Sequence, residues 1–299
     1  MTDRDEELEY VPCALCGSSK IRLLVKREPS HVVQCRSCGL IYRNPRSRVD
    51  IQEMYLPDES YQEAHIDVDA SRLSLYERVL NKMNVLTSEK GRVLDVGCGP
   101  GFFLRSAQER GWEVYGVDIS HEAIYFSKNT LGLTRTFEST LRKMNFQDRY
   151  FDVVTFWNAL DFFLNPLDEL KETKRILKEN GLIFVRVPNI HFQLCSYTIY
   201  KTLRRLFGRL NILDPFVFQN IGFSPRTLKK MLRWAGFEEI LLRNSALSTG
   251  DPYSIAKGFG PKTTGTAKKA MFFFAETVFY ITAGTCLIGS SIEIYARKS

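Results

Sequence analysis

No segment of this 299-residue chain repeats and none is of low complexity, which excludes solenoids and blade arrays, since both need a fixed period. The amino-terminal stretch MTDRDEELEY lacks the apolar core of a secretory signal and the arginine-rich, acid-poor character of a transit peptide. A clean membrane span is lacking too. The best candidate, AMFFFAETVFYITAGTCLIGS at residues 270 to 290, is broken by Glu276, several hydroxyl residues and two glycines. A spanning helix there would strand the following SSIEIYARK on the far side, so a helix covering the domain, or one dipping into a membrane interface, is expected over about 268–288. The chain thus reads as a cytoplasmic globular protein. Its 44% hydrophobic and 25% charged content is ordinary for that class, and its length fits one large α/β domain plus a small module. Acidic residues are scarce in one late segment: Arg186 to Arg243 holds ten Lys/Arg against three acids, an excess equal to the net charge of +7.

Seven cysteines without a secretory signal point to a reducing compartment, where paired thiols bind metal more often than they form disulfides. Four of them form two C-x-x-C-G units, Cys13 with Cys16 and Cys35 with Cys38, separated by eighteen residues. Each unit presents two thiolates from one tight turn, and Gly17 and Gly39 tolerate the positive φ such a turn needs. Two unrelated surface turns would look the same singly; the doubled spacing favours one zinc ion with four thiolates in a tetrahedron. Four cysteines leave no open position, so the metal is expected to be structural. A segment of about forty residues has too little core to fold without it. Short strands are expected at KIRLLVKR, HVVQC and LIYRN. Cys98, Cys195 and Cys286 are isolated and read as packing residues.

From residue 92 the chain alternates strand and helix. VLDVG is an apolar strand, GCGPGFFLRSAQERG a turn and helix, and WEVYGVDIS a second strand with Ser120 capping the next helix. Strands follow at TRTFES, FDVVTFW, LIFVRVPN, FEEILLRNS and SSIEIYARK. A helix is expected over PLDELKETKRILKENG as far as Gly181. Another is expected over FSPRTLKKMLRWAGF, capped by Ser224, started by Pro225 and stopped at Gly236. The alternation implies a doubly wound parallel sheet with a nucleotide at the glycine turn. The dinucleotide fingerprint G-x-G-x-x-G is absent. Gly97-Cys98-Gly99-Pro100-Gly101-Phe102 brings the third glycine one residue early. Asp95 stands two residues before the first glycine, where a carboxylate would oppose a pyrophosphate but suit a cationic ligand. S-adenosylmethionine carries a sulfonium and an ammonium and no phosphate.

VLDVGCGPG resembles motif I of class I S-adenosylmethionine-dependent methyltransferases. The acid in GVDIS, the FDVV strand, the LKENG turn and the GFSPRTLKKMLRWAGFE block are similar to that family in the same order. The front, CxxCG…CxxCGL.Y.NPR, resembles a bacterial subgroup in which a zinc ribbon precedes the methyltransferase domain, including enzymes of sugar, glycan and lipid-linked biosynthesis. The resemblance implies a Rossmann-like, seven-stranded, mostly parallel sheet with an antiparallel last strand. It implies a zinc ribbon at 1–45, a linker with helices at 46–90, and a cofactor domain at 91–299 with a basic insertion at about 190–220. It also implies roles. The backbone of Gly97, Cys98 and Gly99 would run under the methionine moiety, and Gly101 would let the helix start close to the ligand. Asp95 would sit near the amino end of the cofactor, Asp118 would accept the ribose hydroxyls, Ile119 would pack on the adenine, and Thr140 and Leu141 would meet its amine. Taken alone, Asp95 and Asp118 read equally as turn or capping acids.

Many members of the family carry histidine or glutamate after the fourth strand; this chain has WNALDFFLNP. Asn158 cannot act as a base but can position cofactor or acceptor. Asp161 is the local base candidate, with an ordinary helix N-terminal acid as its alternative. His191, after the fifth strand, also falls at the carboxyl edge of the sheet. In IYKTLRRLFGRL, Ile199, Leu203, Leu206, Phe207 and Leu210 share one helical face, and Lys201, Arg204, Arg205 and Arg209 the opposite one. Such a helix either packs its apolar face on the domain as a lid or lies on an anionic membrane. Tyr55 or Tyr61 in the linker would close the pocket in the resembled subgroup. The expected function is methyl transfer to a small-molecule acceptor, a sugar or lipid-linked intermediate, with peripheral contact at the inner membrane face. An NAD-type oxidoreductase and a non-catalytic zinc-ribbon protein are the alternatives. Nucleic acid is not the expected partner, because the ribbon lacks a dense basic and aromatic surface.

Overall fold

The computed structural model describes residues 8–47, 72–87, 89–207, 218–246 and 261–299. Tyr55, Tyr61, Arg209 and Leu210 lie outside the described residues. The amino-terminal module is built from β1 (Leu8–Glu9), β2 (Ile21–Val25), β3 (Val32–Cys35), β4 (Ile41–Arg43) and β5 (Arg46–Ser47). Strands β2, β3 and β4 form an antiparallel sheet, and β1 pairs with β5. Each C-x-x-C-G unit closes on itself: the Gly17 N–H donates to Cys13 O at 2.8 Å and the Gly39 N–H to Cys35 O at 3.0 Å. Both glycines have positive φ, as the turns require.

The remaining elements alternate. In chain order they are α1 (Leu73–Leu86), β6 (Arg92–Val96), α2 (Phe102–Glu109), β7 (Glu113–Asp118), α3 (His121–Asn129), β8 (Thr136–Glu138), β9 (Phe151–Trp157), α4 (Pro166–Ile176) and β10 (Leu177–Pro188). Then come α5 (Ile190–Phe207), β11 (Ile221–Gly222), α6 (Pro225–Trp234), β12 (Phe237–Asn244), α7 (Pro261–Ile281) and β13 (Ser291–Lys298). Seven strands form one sheet in the order β12-β13-β10-β9-β6-β7-β8. Only β13 runs against the others, pairing antiparallel with both β10 and β12. This is the expected Rossmann-like arrangement. Its strand order reverses between β6 and β9, so a crevice opens at their carboxyl ends.

Burial explains why the central strands are nearly uninterrupted apolar runs. Val93, Val153 and Phe184 face one layer with Tyr76 and Leu80 of α1 and Phe103 and Leu104 of α2. Leu94, Val154, Ile183 and Ile294 face the other with Leu170 of α4 and Leu228 and Met231 of α6. Both faces are covered, as parallel sheets need. Helix α6 shows every expected signal: the Ser224 hydroxyl accepts from Thr227 N, Pro225 opens the helix, and Gly236 follows it at φ +86°.

Three expectations are corrected. Helix α4 ends at Ile176 rather than reaching Gly181. Leu177 is buried and pairs with Phe151, and the register then shifts before Leu182 meets Val153. The polar KEN segment continues the helical pattern in sequence, yet burial of Leu177 beside β9 decides the outcome. Of the three isolated cysteines, Cys98 is buried, but Cys195 is exposed and Cys286 half-buried, so packing does not account for all of them. Among its described residues, the apolar stripe of α5 also lacks the expected lid packing. The helix is held by Ile190, Leu194 and Tyr197 against Val25, Val32, Ile41 and Phe218. Beyond those first two turns it overshoots the body, and Ile199, Leu203 and Leu206 face outward.

The ribbon is joined to the larger body by hydrogen bonds. β11 adds to its sheet beside β4, as Ile221 pairs with Tyr42 and Gly222 with Ile41. Arg43 donates to Gln219 O at 2.9 Å and to Phe218 O, and Arg46 donates to Leu164 O at 2.9 Å. Within the larger body, α1 is tied to the sheet by a bidentate pair: Arg78 donates to both carboxylate oxygens of Glu293 at 2.9 and 2.7 Å. Glu293 is fully buried on β13 and also meets Arg243 at 3.4 Å. Removing one partner of a buried pair strands the other charge. We expect Arg78→Ala to lower unfolding stability by roughly 3 kcal/mol in a urea titration. A loss under about 1 kcal/mol would show the pair to be as weak as an exposed one.

Candidate active site and metal centre

The turn between β6 and α2 is shaped by three glycines in left-handed conformation: Gly97 at φ +72°, Gly99 at φ +52° and Gly101 at φ +89°. A Cβ on Gly97 would come within 2.7 Å of the Ala159 Cβ, and one on Gly101 within 2.6 Å of Leu133 Cδ1. The turn is clamped to β7, with the Gly97 and Cys98 N–H groups both donating to Val117 O. It also abuts the segment after β9 through Ala159. Cys98 turns its side chain into the core, which leaves its backbone as the part facing the crevice side.

Two carboxylates flank this turn. Asp118, at the end of β7, accepts from Gly99 N at 2.8 Å on one oxygen and from Ser120 N at 2.9 Å on the other. The turn-acid role foreseen as its alternative is therefore present. Asp95 is buried on β6 and accepts from the Thr155 hydroxyl at 2.7 Å. Ile119 is half-buried just past β7, and Thr140 follows β8 with its hydroxyl accepting from Lys143 N at 3.3 Å. Leu141 is buried among the core residues. Glycine backbone plus two carboxylates suits a ligand with hydroxyls and positive charge, and suits a pyrophosphate poorly. The donor set fits S-adenosylmethionine.

The acceptor side is built on β9 and β10. Asn158 adopts φ +52° directly after β9, and its N–H donates to Arg186 O at 2.8 Å. Its side-chain oxygen accepts from the Arg186 guanidinium at 2.8 Å, which leaves its amide nitrogen as the group able to face a ligand. Arg186 is buried near the end of β10 and donates further to the Ser245 hydroxyl at 2.9 Å and Ala246 O at 3.4 Å. A charge inside the apolar run LIFVRVP was the sequence signal for this residue, and reading it only as part of the basic excess missed its position. Asp161 is buried with Oδ1 unpartnered, and it lies before α4 rather than in that helix. Burial pushes its carboxyl up to about 7, opposed by its own backbone N–H and by attraction to Arg186. Its main-chain oxygen accepts from Asn220 N at 3.1 Å and Ile221 N at 3.0 Å, which ties the segment to the ribbon's sheet. His191 stands apart, exposed in the first turn of α5, its N–H donating to the Asn189 side chain. The structure thus packs Ala159, between Asn158 and Asp161 in sequence, against the glycine turn, ties Asp161 to the ribbon's sheet, and leaves His191 exposed on α5.

The four ribbon cysteines converge. Their sulfurs all lie within 4.8 Å of one another, with Cys13 and Cys38 3.4 Å apart and Cys16 and Cys35 3.5 Å apart. Zinc–sulfur bonds of about 2.3 Å give tetrahedral edges of roughly 3.8 Å, so the spacing fits. Burial pushes the Cys38 thiol up to about 11 and raises Cys13 as well. Thiolates in so dry a cluster need a cation, and a zinc ion would supply it.

A seven-stranded sheet with one antiparallel strand and a glycine turn at its switch point defines a Rossmann-like methyltransferase architecture. The chain belongs to the methyltransferase-domain family, whose model matches residues 68–242, more than half its length. It is an S-adenosylmethionine-dependent methyltransferase, which removes the oxidoreductase and non-catalytic alternatives. It is 27% identical over 192 residues to a ubiquinone biosynthesis O-methyltransferase of Nitrosomonas europaea, covering 61% of this chain and 76% of that one. It is 26% identical over 184 residues to a demethylmenaquinone methyltransferase of Staphylococcus saprophyticus, covering 56% and 78%. Other curated relatives are matched over about half their length, 49% for the ubiquinone biosynthesis O-methyltransferase of Glaesserella parasuis. Among solved structures, the complex of the Haloferax volcanii Trm112 methyltransferase activator with a methyltransferase matches at TM-score 0.56 and 13% identity, covering 80% of this chain and 94% of that one.

Two predictions follow from these geometries. Asp161 has a folded pKa raised above the unfolded carboxylate range. Below pH 4 both states hold the proton and the group is neutral to stability. As pH rises from about 4 to 7 the unfolded state releases it first, so stability falls, by roughly 4 kcal/mol as an upper bound. Asp161→Asn should flatten that fall in urea titrations between pH 4 and 8; an unchanged slope would refute the buried-acid assignment. For the ribbon, purified protein should carry about one zinc per chain by elemental analysis. Cys35→Ser/Cys38→Ser should lose it and speed amide exchange at Arg43, whose N–H donates to Asn220 O across the junction of β4 and β11. Slow exchange in a metal-free variant would show that the sheet stands without the metal.

Proposed function

We propose that this methyltransferase acts on a small-molecule hydroxyl acceptor, a sugar or lipid-linked intermediate, with Asp161 as the base. The observation that carries this reading is a buried carboxyl with an unpartnered oxygen, held near neutral pKa in the segment packed against the glycine turn. Bound S-adenosylmethionine supplies a methyl carbon already activated by its sulfonium. Proximity and alignment are then the protein's main contributions. The backbone of Gly97, Cys98, Gly99 and Gly101 would cradle the cofactor, Asp118 would accept its ribose hydroxyls, and Asp95 would lie toward its amino end. Ile119, Thr140 and Leu141 line the adenine side. Asn158, fixed by Arg186, offers an amide N–H to cofactor or acceptor. Asp161, as the carboxylate, takes the acceptor proton as the oxygen–methyl bond forms and the methyl–sulfur bond breaks, which leaves the carboxyl and the sulfur both neutral; a pKa near the operating pH suits that task. Arg186 stabilises the carboxylate before the proton arrives. The relatives named for ubiquinone and demethylmenaquinone synthesis support an acceptor made lipophilic by its tail.

The test has two parts. Calorimetry with S-adenosylhomocysteine should give binding that falls more than tenfold in Asp118→Ala, as expected when hydrogen bonds to a charged group are lost. Asp161→Asn should keep that affinity within about twofold and lose turnover by roughly 100-fold or more. Turnover itself needs an acceptor: incubation with labelled S-adenosylmethionine and host extract, then mass identification of the product, should place the label in a lipid-linked or sugar fraction. Label found solely in protein or nucleic acid would overturn the acceptor class. Full turnover by Asp161→Asn would remove the base.

A further inference from the structure

We propose that the outer face of α7, together with the overshooting half of α5, is a docking surface for an anionic phospholipid bilayer, with both helices lying in the plane of the interface. Phe273, Phe274, Tyr280 and Ile281 are 75%, 61%, 74% and 78% exposed. At 100° per residue they fall, with Thr277, within one sector of about 120°. The inner face is already used. Ala275 is buried with its carbonyl accepting from the Asn244 amide at 3.1 Å, and Phe279 packs against the core. Glu276, the one acid between residues 269 and 281, is turned inward to the same amide at 3.3 Å. The outer face is therefore aromatic and aliphatic, free of acid, and bordered by exposed Lys269.

The second helix repeats the chemistry. Ile199, Leu203 and Leu206 are 55%, 36% and 68% exposed. Lys201, Arg204 and Arg205 are exposed beside them, and no acid occurs between residues 190 and 207. One corner links the two helices. Asn189, just before α5, donates from its side chain to Leu287 O at 3.1 Å and Gly289 O at 2.9 Å in the segment that follows α7. That corner lies at the carboxyl end of β10, the same end of the sheet as the glycine turn. Apolar residues flanked only by cations complement an anionic lipid surface better than a neutral protein face. Among the described residues no helix is long and apolar enough to cross a membrane, so the surface is read as lying on the bilayer. Docked this way, the carboxyl edge of the sheet would face the bilayer, where a lipid-linked acceptor resides. The surface itself does not depend on what the acceptor is.

Co-sedimentation of the full chain with vesicles tests this. Wild type should bind vesicles of phosphatidylcholine containing about 30% phosphatidylglycerol, bind pure phosphatidylcholine at least tenfold more weakly, and lose binding as salt rises. Phe273→Ser/Phe274→Ser and Arg204→Glu/Arg205→Glu should each weaken binding to the anionic vesicles at least tenfold while keeping S-adenosylhomocysteine affinity, which shows the fold intact. Absence of wild-type binding to anionic vesicles, or equal binding by both variants, would overturn the proposal. So would light scattering showing that wild type self-associates through this face and that Phe273→Ser/Phe274→Ser is monomeric. Loss of cofactor affinity in wild type would instead bear on the methyltransferase site and leave the vesicle result standing.

Discussion

A buried guanidinium organises the carboxyl end of the sheet. Arg186 sits on β10, next to the centre of seven strands, where an isolated charge would be strongly unfavourable. Its hydrogen bonds reach Asn158 at the end of β9 and Ser245 and Ala246 just past β12. Three chain segments must therefore end at fixed heights around one side chain. The same charge draws down the carboxyl of Asp161, which burial alone would raise further. One side chain thus links the ends of three strands and opposes the rise that burial imposes on Asp161. Glu293, beside it in register on β13, is matched from outside by Arg78 and Arg243, so two buried charges of opposite sign lie across the strand that runs the wrong way.

The ribbon is part of this arrangement and more than an appendage. Its sheet ends on β11, a two-residue strand that comes from the insertion after α5. The same short stretch donates two backbone N–H groups to the Asp161 carbonyl. The cysteine turns, β3, β4, β11 and the segment carrying Asp161 form one continuous chain of contacts. Core residues of the ribbon, Leu15, Val33, Leu40 and Tyr42, belong to the same buried cluster as Val96, Phe156 and Leu160 of the larger body. A zinc ion held by the four cysteines would in this way brace the segment that carries Asp161.

Local rules made much of this legible in the sequence. The C-x-x-C-G doublets, the glycine turn, the Ser224 cap and the apolar central strands are each determined by neighbours within a few residues, and each formed as read. What escaped depends on distant partners. The stop at Ile176 rather than Gly181 follows from Leu177 meeting Phe151, a contact no helical pattern records. β11 has only two residues and no pattern, and it exists because β4 offers a free edge. Arg186 was visible as a charge in an apolar run, but its partners at 158, 245 and 246 are assembled only by the sheet. The apolar stripe of α5 is present at Ile199, Leu203 and Leu206, while its exposure follows from a helix longer than the surface that holds its first two turns.

Asp118 shows why the cofactor site is legible in both directions. A carboxylate reserved for a ligand would be left repelling the electron-rich ends of two strands. Here it is held by backbone N–H groups from Gly99 and Ser120, so the glycine turn and the start of α3 take their shape from it before any ligand binds. The hydrogen bonds that fix the turn also fix the carboxylate. Orientation is set during folding, so a ligand bound at this turn would meet a shape already formed, and preorganisation of that kind is what alignment for a displacement calls on.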